Sequence, residues 1–357
     1  MRLRVCCLLA AAACLIGCAQ VLPVITPSDI AAYEPAQFVA AIDPTGAAPH
    51  LALQLGTLAT PREFAAAAHV IFRADSGAAS VAMLRAALAQ RSDRDDPCLE
   101  ALCAHLEHAA GVAQPPRPPL ADIFAASWRA GFPVVYSLQR RDRRQIGLAL
   151  VRTADGRFAR DAQGQLLALP HLALASSGLP GTITNGNTPQ GLFTIVGAGR
   201  ASNPWIGPTP YLYSKVPHEA TPAEFEHRAD VEGPWTRARY DAILPPSWHG
   251  YAPMREAWLA GRAGRNEMLL HGSTIDSEPY RSRPWYPLTP SAGCLVAGES
   301  WSAAEGRLVR SDQLTLLKAF TRGGHDRGYL VVIELDDRAA PVALAEVLDE
   351  VLAGEAR

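Results

Sequence analysis

The chain has 357 residues, enough for about two domains of ordinary size, and 48% of them are apolar, so a substantial core can be buried. Its 33 basic and 35 acidic residues leave a formal charge of -2 at pH 7. With no net positive field to attract a polyanion, nucleic-acid binding is excluded as the main role.

At the N-terminus, Arg2 and Arg4 precede the apolar stretch Val5 to Ile16, which is too short to span a bilayer. Residues 1–17 therefore read as an export signal rather than a membrane helix. The sequence Leu15-Ile16-Gly17-Cys18 resembles the lipobox of bacterial lipoproteins, which implies lipidation of Cys18 and anchoring to a membrane. Ala19, where an aspartate would favour inner-membrane retention, points to a periplasmic protein on the outer membrane if the cell has one. With Cys6, Cys7 and Cys14 lost with the signal and Cys18 acylated, Cys98, Cys103 and Cys294 remain.

Residues 18–114 read as an Ala-rich helical accessory region. Thr60-Pro61-Arg62-Glu63 fits a capping box with proline at the first helical position. A second helix is expected over Ala79 to Gln90. A third is expected over Pro97 to Ala110, capped by Asp96 and ended by Gly111, with Leu99, Leu102, Cys103 and Leu106 on its inner face. Five residues of regular helix place Cys98 and Cys103 about 140° and about 7.5 Å apart, outside disulfide reach. Either the helix is distorted there, or Cys103 is a small core residue and Cys98 its neighbour; the second reading is preferred. The stiff run Gln114-Pro115-Pro116-Arg117-Pro118-Pro119 supplies a linker at 115–119.

From residue 120 the period becomes extended. Pro133 to Leu138, Ile146 to Arg152, Leu166 to Ala175, Gly191 to Val196 and Tyr329 to Leu335 read as short strands, with turns at Asp155-Gly156 and Gln163-Gly164. Arg140 to Arg144 reads as a solvated basic face, with contact to anionic glycan or lipid as the alternative. The Pro-, Trp- and Tyr-rich stretch 201–265 reads as an insertion off the sheet, a lid or binding wall, whose Trp205, Tyr211, Tyr213, Trp235, Trp248 and Trp258 either line a groove or pack the insertion itself. Within it, His218, Glu219, Glu226 and His227 match no metal-binding spacing, so no metal is expected. A closing amphipathic helix, Val342 to Ala353, is expected in 339–357, with Leu344, Val347, Leu348, Val351 and Leu352 on one face.

Two segments carry chemistry. Leu269-Leu270-His271-Gly272-Ser273 ends an apolar run on a histidine, and Ser291-Ala292-Gly293-Cys294-Leu295-Val296 sets a cysteine beside a glycine. A thiol reacts as its thiolate, and an imidazole can take the proton and return it to a leaving amine. Gly293 leaves room for a carbonyl to approach, and Ser291 can tie the loop.

These residues carry a family resemblance. His271-Gly272-Ser273 followed by Ser291-x-Gly293-Cys294 resembles the signature of YkuD-type L,D-transpeptidases. Ser177-Gly178, then Thr188-Pro189-Gln190-Gly191-Leu192-Phe193-Thr194-Ile195, is similar to that family's upstream strand. The chain departs from the pattern at Ala292, at Val296-Ala297 and in a longer spacer between the two site segments.

The resemblance implies a mainly β catalytic domain over 120–338, a β-sandwich with short helices, following the helical region. It implies that Cys294 attacks a peptidoglycan stem peptide and releases the terminal D-alanine, with His271 as base and acid. Gly272 would orient His271, and the Gly293 and Cys294 amides would serve as an oxyanion hole with Ser291 as loop support. The expected function is transpeptidation in wall crosslinking or remodelling, an acyltransferase activity without cofactors. The alternatives are an L,D-carboxypeptidase or other hydrolase of the same fold, and a non-catalytic wall-binding lipoprotein.

Overall fold

The computed structural model describes residues 44–201, 206, 208–274, 277–302 and 307–357. The export signal at 1–17, Cys18 and Trp205 lie outside them. Among the described residues no helix is long and apolar enough to cross a membrane.

The first four helices are α1 (Pro44–Gln54), α2 (Pro61–Ala74), α3 (Ala78–Ala89) and α4 (Pro97–Ala109). Local chemistry sets their starts. Glu63 N donates to Thr60 Oγ1 at 3.2 Å and Thr60 N donates to Glu63 Oε2 at 3.1 Å, closing the capping box on α2. Asp96 accepts the Cys98 N–H at the head of α4. Leu51, Phe64, Leu84, Leu88, Leu99, Leu102 and Leu106 bury into one core between these helices. The buried stripe of α4 is Cys98, Leu99, Leu102 and Leu106, so the expected face is corrected: Cys98 is buried and Cys103 exposed. All three described cysteines are free.

After α5 (Leu120–Phe124) come β1 (Val134–Gln139), β2 (Gly147–Arg152), β3 (Leu169–Leu172), β4 (Gly191–Gly199) and β5 (Tyr211–Lys215). Three helices follow, α6 (Pro222–Glu226), α7 (Arg237–Ile243) and α8 (Glu256–Arg262). Then come β6 (Met268–Gly272), β7 (Leu295–Ala297), the β8 (Glu299–Trp301) and β9 (Leu308–Ser311) ribbon, α9 (Asp312–Phe320), β10 (Gly328–Glu334) and α10 (Leu348–Glu355).

The expected β-sandwich is wrong. Eight strands close into one barrel in the order β1-β10-β4-β5-β6-β7-β3-β2, accompanied by ten α-helices among the described residues. The closure depends on two parallel pairs, β1 with β10 and β6 with β7. A hairpin cannot make a parallel pair; each needs a crossover, so turn signals between neighbouring runs do not reveal it. Every strand of the barrel sends residues inward, among them Val135, Ala149, Leu169, Phe193, Leu212, Leu270, Leu295 and Leu330.

Three further expectations are corrected. Residues 201–265 are no excursion: they supply β5 to the barrel, and α6 to α8 cover its outer face. There Tyr240, Trp248 and Trp258 pack with Tyr136, Leu192 and Val331 instead of lining a groove. The 140–144 run is a solvated face only in part: Arg141 and Arg144 are exposed, but the other two arginines are not. Arg140 is fully buried and pairs with Asp336 at 2.9 Å and Glu346 at 2.7 Å, while buried Arg143 meets Glu334 at 3.0 Å. These pairs clamp the chain after β10 to the β1–β2 connection. Finally, Leu352 is exposed; α10 rests through Val351 and Gly354, and Gly354 lies so close to Phe124 that any side chain there would collide.

Candidate active site around Cys294

The parallel pairing of β6 and β7 brings the two chemical segments together. Leu270 stands opposite Leu295 and His271 opposite Val296. Leu270 and Leu295 point into the barrel, so strand alternation sends His271 and Val296 to the outer face. Val296 indeed packs in a separate outer cluster with Leu172, Leu174, Trp285 and Leu288. Cys294 stands one residue ahead of β7 with its sulfur at Leu269 N, so it and His271 belong to neighbouring segments, offset along the strand direction.

The imidazole is buried, and its Nδ1 lies 2.7 Å from Gly272 O, with a second backbone contact from Ile206. Burial holds its pKa below the ordinary histidine range, against the pull of both backbone contacts. The ring is therefore neutral at neutral pH, as a proton acceptor must be. Gly272 could carry no side chain, because the Glu299 carboxylate lies against it.

The thiol is half-buried and turned toward the head of β6. Its Sγ accepts the Leu269 N–H at 3.3 Å and donates to Glu267 O at 3.7 Å; no hydrogen bond joins it to His271. Burial pushes the Cys294 pKa up to about 11, while the Leu269 N–H and the Arg265 guanidinium pull it down and Glu267 adds to the rise. In this geometry the sulfur rests as a thiol.

The loop ahead of β7 is held from two sides. Ser291 Oγ accepts the Gly293 N–H at 3.0 Å and donates to Cys294 O at 2.8 Å. The Gly293 amide is thereby engaged within the loop instead of open to an oxyanion, and Ser291 is the group that ties it. Gly293 has φ +119°, and a side chain there would strike the Arg265 guanidinium and Gly186 O. From the other side, the upstream motif meets this loop directly. Thr188 Oγ1 donates to Gly293 O at 2.9 Å, Ser176 N to Ser291 O at 2.8 Å, and Ser291 N to Leu174 O at 3.1 Å.

Residues the sequence reading did not single out also stand here. Arg265 reaches the loop from three residues ahead of β6, and Glu299 covers Gly272 from β8. Neither sits in a pattern that marks it; both gain their place from strand pairing. His218, Glu219, Glu226 and His227 have separate surroundings: Glu219 accepts from Tyr213 and the N–H groups of Val216 and Glu267, and His227 lies between Thr194 Oγ1 and Gly328 O. Among the described residues, no group of three or more His, Cys, Asp or Glu is placed to hold a metal ion.

No protein-family model, curated protein or solved structure matches the chain.

Proposed function

We propose that this chain is a cysteine-dependent L,D-transpeptidase of peptidoglycan stem peptides, exported to the periplasm and held at the membrane through lipid on Cys18. The observation that carries the reading is the β6–β7 pairing, which brings the segment that holds a neutral His271 beside the strand that Cys294 leads into. The hydrogen bond from Thr188 to Gly293 supports it, because it joins the two segments on which the family resemblance rests.

For catalysis the thiol must leave the Glu267 carbonyl and come within hydrogen-bond reach of the imidazole. His271 then takes the thiol proton, and the sulfur adds to the carbonyl of the third stem residue. The tetrahedral adduct collapses as His271 returns the proton to the terminal D-alanine nitrogen, which leaves as the free amino acid. A thioester on Cys294 remains. The amine of a second stem attacks it, passes a proton to His271 and re-forms the thiol on release.

The test is mass spectrometry of the intact protein after incubation with a defined tetrapeptide muropeptide. The expected product is an adduct on Cys294 equal to the substrate less D-alanine. Retention of that adduct by Cys294→Ala would sink the mechanism. Muropeptide products then identify the acceptor: crosslinked dimers mean transfer to an amine, and tripeptides mean transfer to water.

A further inference from the structure

Arg265 is a buried cation that no step above uses. Its residue exposure is 5%. Nη1 donates to the carbonyls of Ile183 and Gly186, and Nη2 donates to Gly186 O at 3.2 Å. Those carbonyls are its hydrogen-bond partners among the described residues; no carboxylate joins them in an ion pair. Backbone dipoles satisfy N–H donors but leave the charge uncompensated, which is costly in a site that excludes water. Burial lowers the guanidinium pKa and the Cys294 sulfur raises it, and at neutral pH it carries its proton.

An anion that could complete this site is adjacent. The guanidinium fills the space that a Gly293 side chain would need, against the residue preceding Cys294. The other charged and titratable groups around the thiol are Glu267 ahead of β6, which opposes a negative sulfur, Arg62 of α2 beside Arg265, and the His271 ring, which makes no bond to the thiol.

We propose that Arg265 is the built-in counter-ion of the Cys294 thiolate: when the thiol gives its proton to hydroxide, forming water, the sulfur and the guanidinium make a buried ion pair that sets how much thiolate is present. Arg265 is thus a positioning and charge-compensating residue. The idea deepens the nucleophile reading and rests on it for its purpose, but thiolate can be counted without any wall peptide, so the two can fail separately.

The experiment is alkylation of the full chain by iodoacetamide across a pH series, in a Cys103→Ser background, with modified peptides resolved by mass spectrometry. Arg265→Met is expected to slow Cys294 alkylation on the order of tenfold at about pH 8 and to move the midpoint upward. Arg265→Lys, which keeps the charge, should recover most of the rate, and Glu267→Gln should move the midpoint downward. Arg265→Met with the parent midpoint would overturn the proposal. Labelling of buried Cys98 reports unfolding; if Arg265→Met exposes Cys98, Arg265→Gln, which removes the charge and keeps a donor for the Gly186 carbonyl, decides, and the parent midpoint there overturns the proposal too.

Discussion

The helical region and the barrel each press a cysteine toward the loop between β3 and β4, with opposite consequences. Cys98 of α4 is sealed in the helical core, its thiol donating to Thr182 O at 3.5 Å, and burial pushes its pKa up to about 12. Cys294 stands half-exposed at a strand end, its neighbouring residue a glycine packed against a guanidinium. Similar thiols are made inert or available by what surrounds them. The shared loop is the connection: Arg73 donates to Ser177 O, Leu179 and Ile183 sit in the helical core, and Thr188 bonds Gly293. The accessory helices therefore brace one wall of the candidate site.

The comparison breaks first at the chemistry. Cys294→Ala should abolish the acyl adduct, and His271→Asn should slow its formation by about 10²–10⁴-fold, while the corresponding change at Cys98 leaves the reaction intact; single-turnover mass spectrometry reads all three. If His271→Asn reacts at the parent rate, the imidazole has no part in proton transfer.

Next come the two scaffolds. Leu102→Ala empties part of the helical core and should cost about 2–5 kcal/mol in urea unfolding. If the loop transmits that loss, hydrogen exchange at Thr188 and Gly293 will rise with it; unchanged protection there would mean that the barrel holds the loop alone. Gly293→Ala meets both a left-handed backbone and the Arg265 guanidinium, so a destabilisation of about 2–4 kcal/mol is expected, where a glycine at an open turn would lose far less.

Thr188→Val removes one buried hydrogen bond and leaves the Gly293 carbonyl without its donor, a loss of about 1–3 kcal/mol measurable as a shift in denaturation midpoint. A last effect, visible only as a pH dependence, concerns Glu256, which accepts the Gln190 N–H and whose pKa burial and Glu334 raise to about 7. Its folded pKa exceeds the unfolded one, so the native state binds the proton more tightly. That contribution is complete below the ordinary carboxylate range and fades as pH rises toward about 7. Glu256→Gln should flatten the fall in stability over that interval in urea titrations at several pH values; an unchanged slope would show that Glu256 is not its source.

Parts of this molecule are legible residue by residue. The Thr60–Glu63 capping box and the Asp96 cap form because donor and acceptor lie within one turn of each other. His271 and Cys294 could be picked out because a histidine and a cysteine, each beside a glycine and bordering an apolar run, are few in any chain. Five strands, β1 to β4 and β10, also followed from their local composition, whereas β5 to β9 did not.

What the tertiary structure alone decided are the pairings between distant segments. Closure into a barrel needs β1 beside β10 and β6 beside β7, and no local turn marks either contact. The Arg140 run resembles a solvated surface until Asp336 and Glu346 arrive to neutralise it. Residues 201–265 resemble a lid until their aromatics meet the outer face of the sheet. Arg265 is the clearest case. Sequence sets its charge, but only the meeting of the Ile183–Gly186 turn, Gly293 and the lead into β6 gives that charge a place, because electrostatic work in a buried site depends on distance and on the exclusion of water.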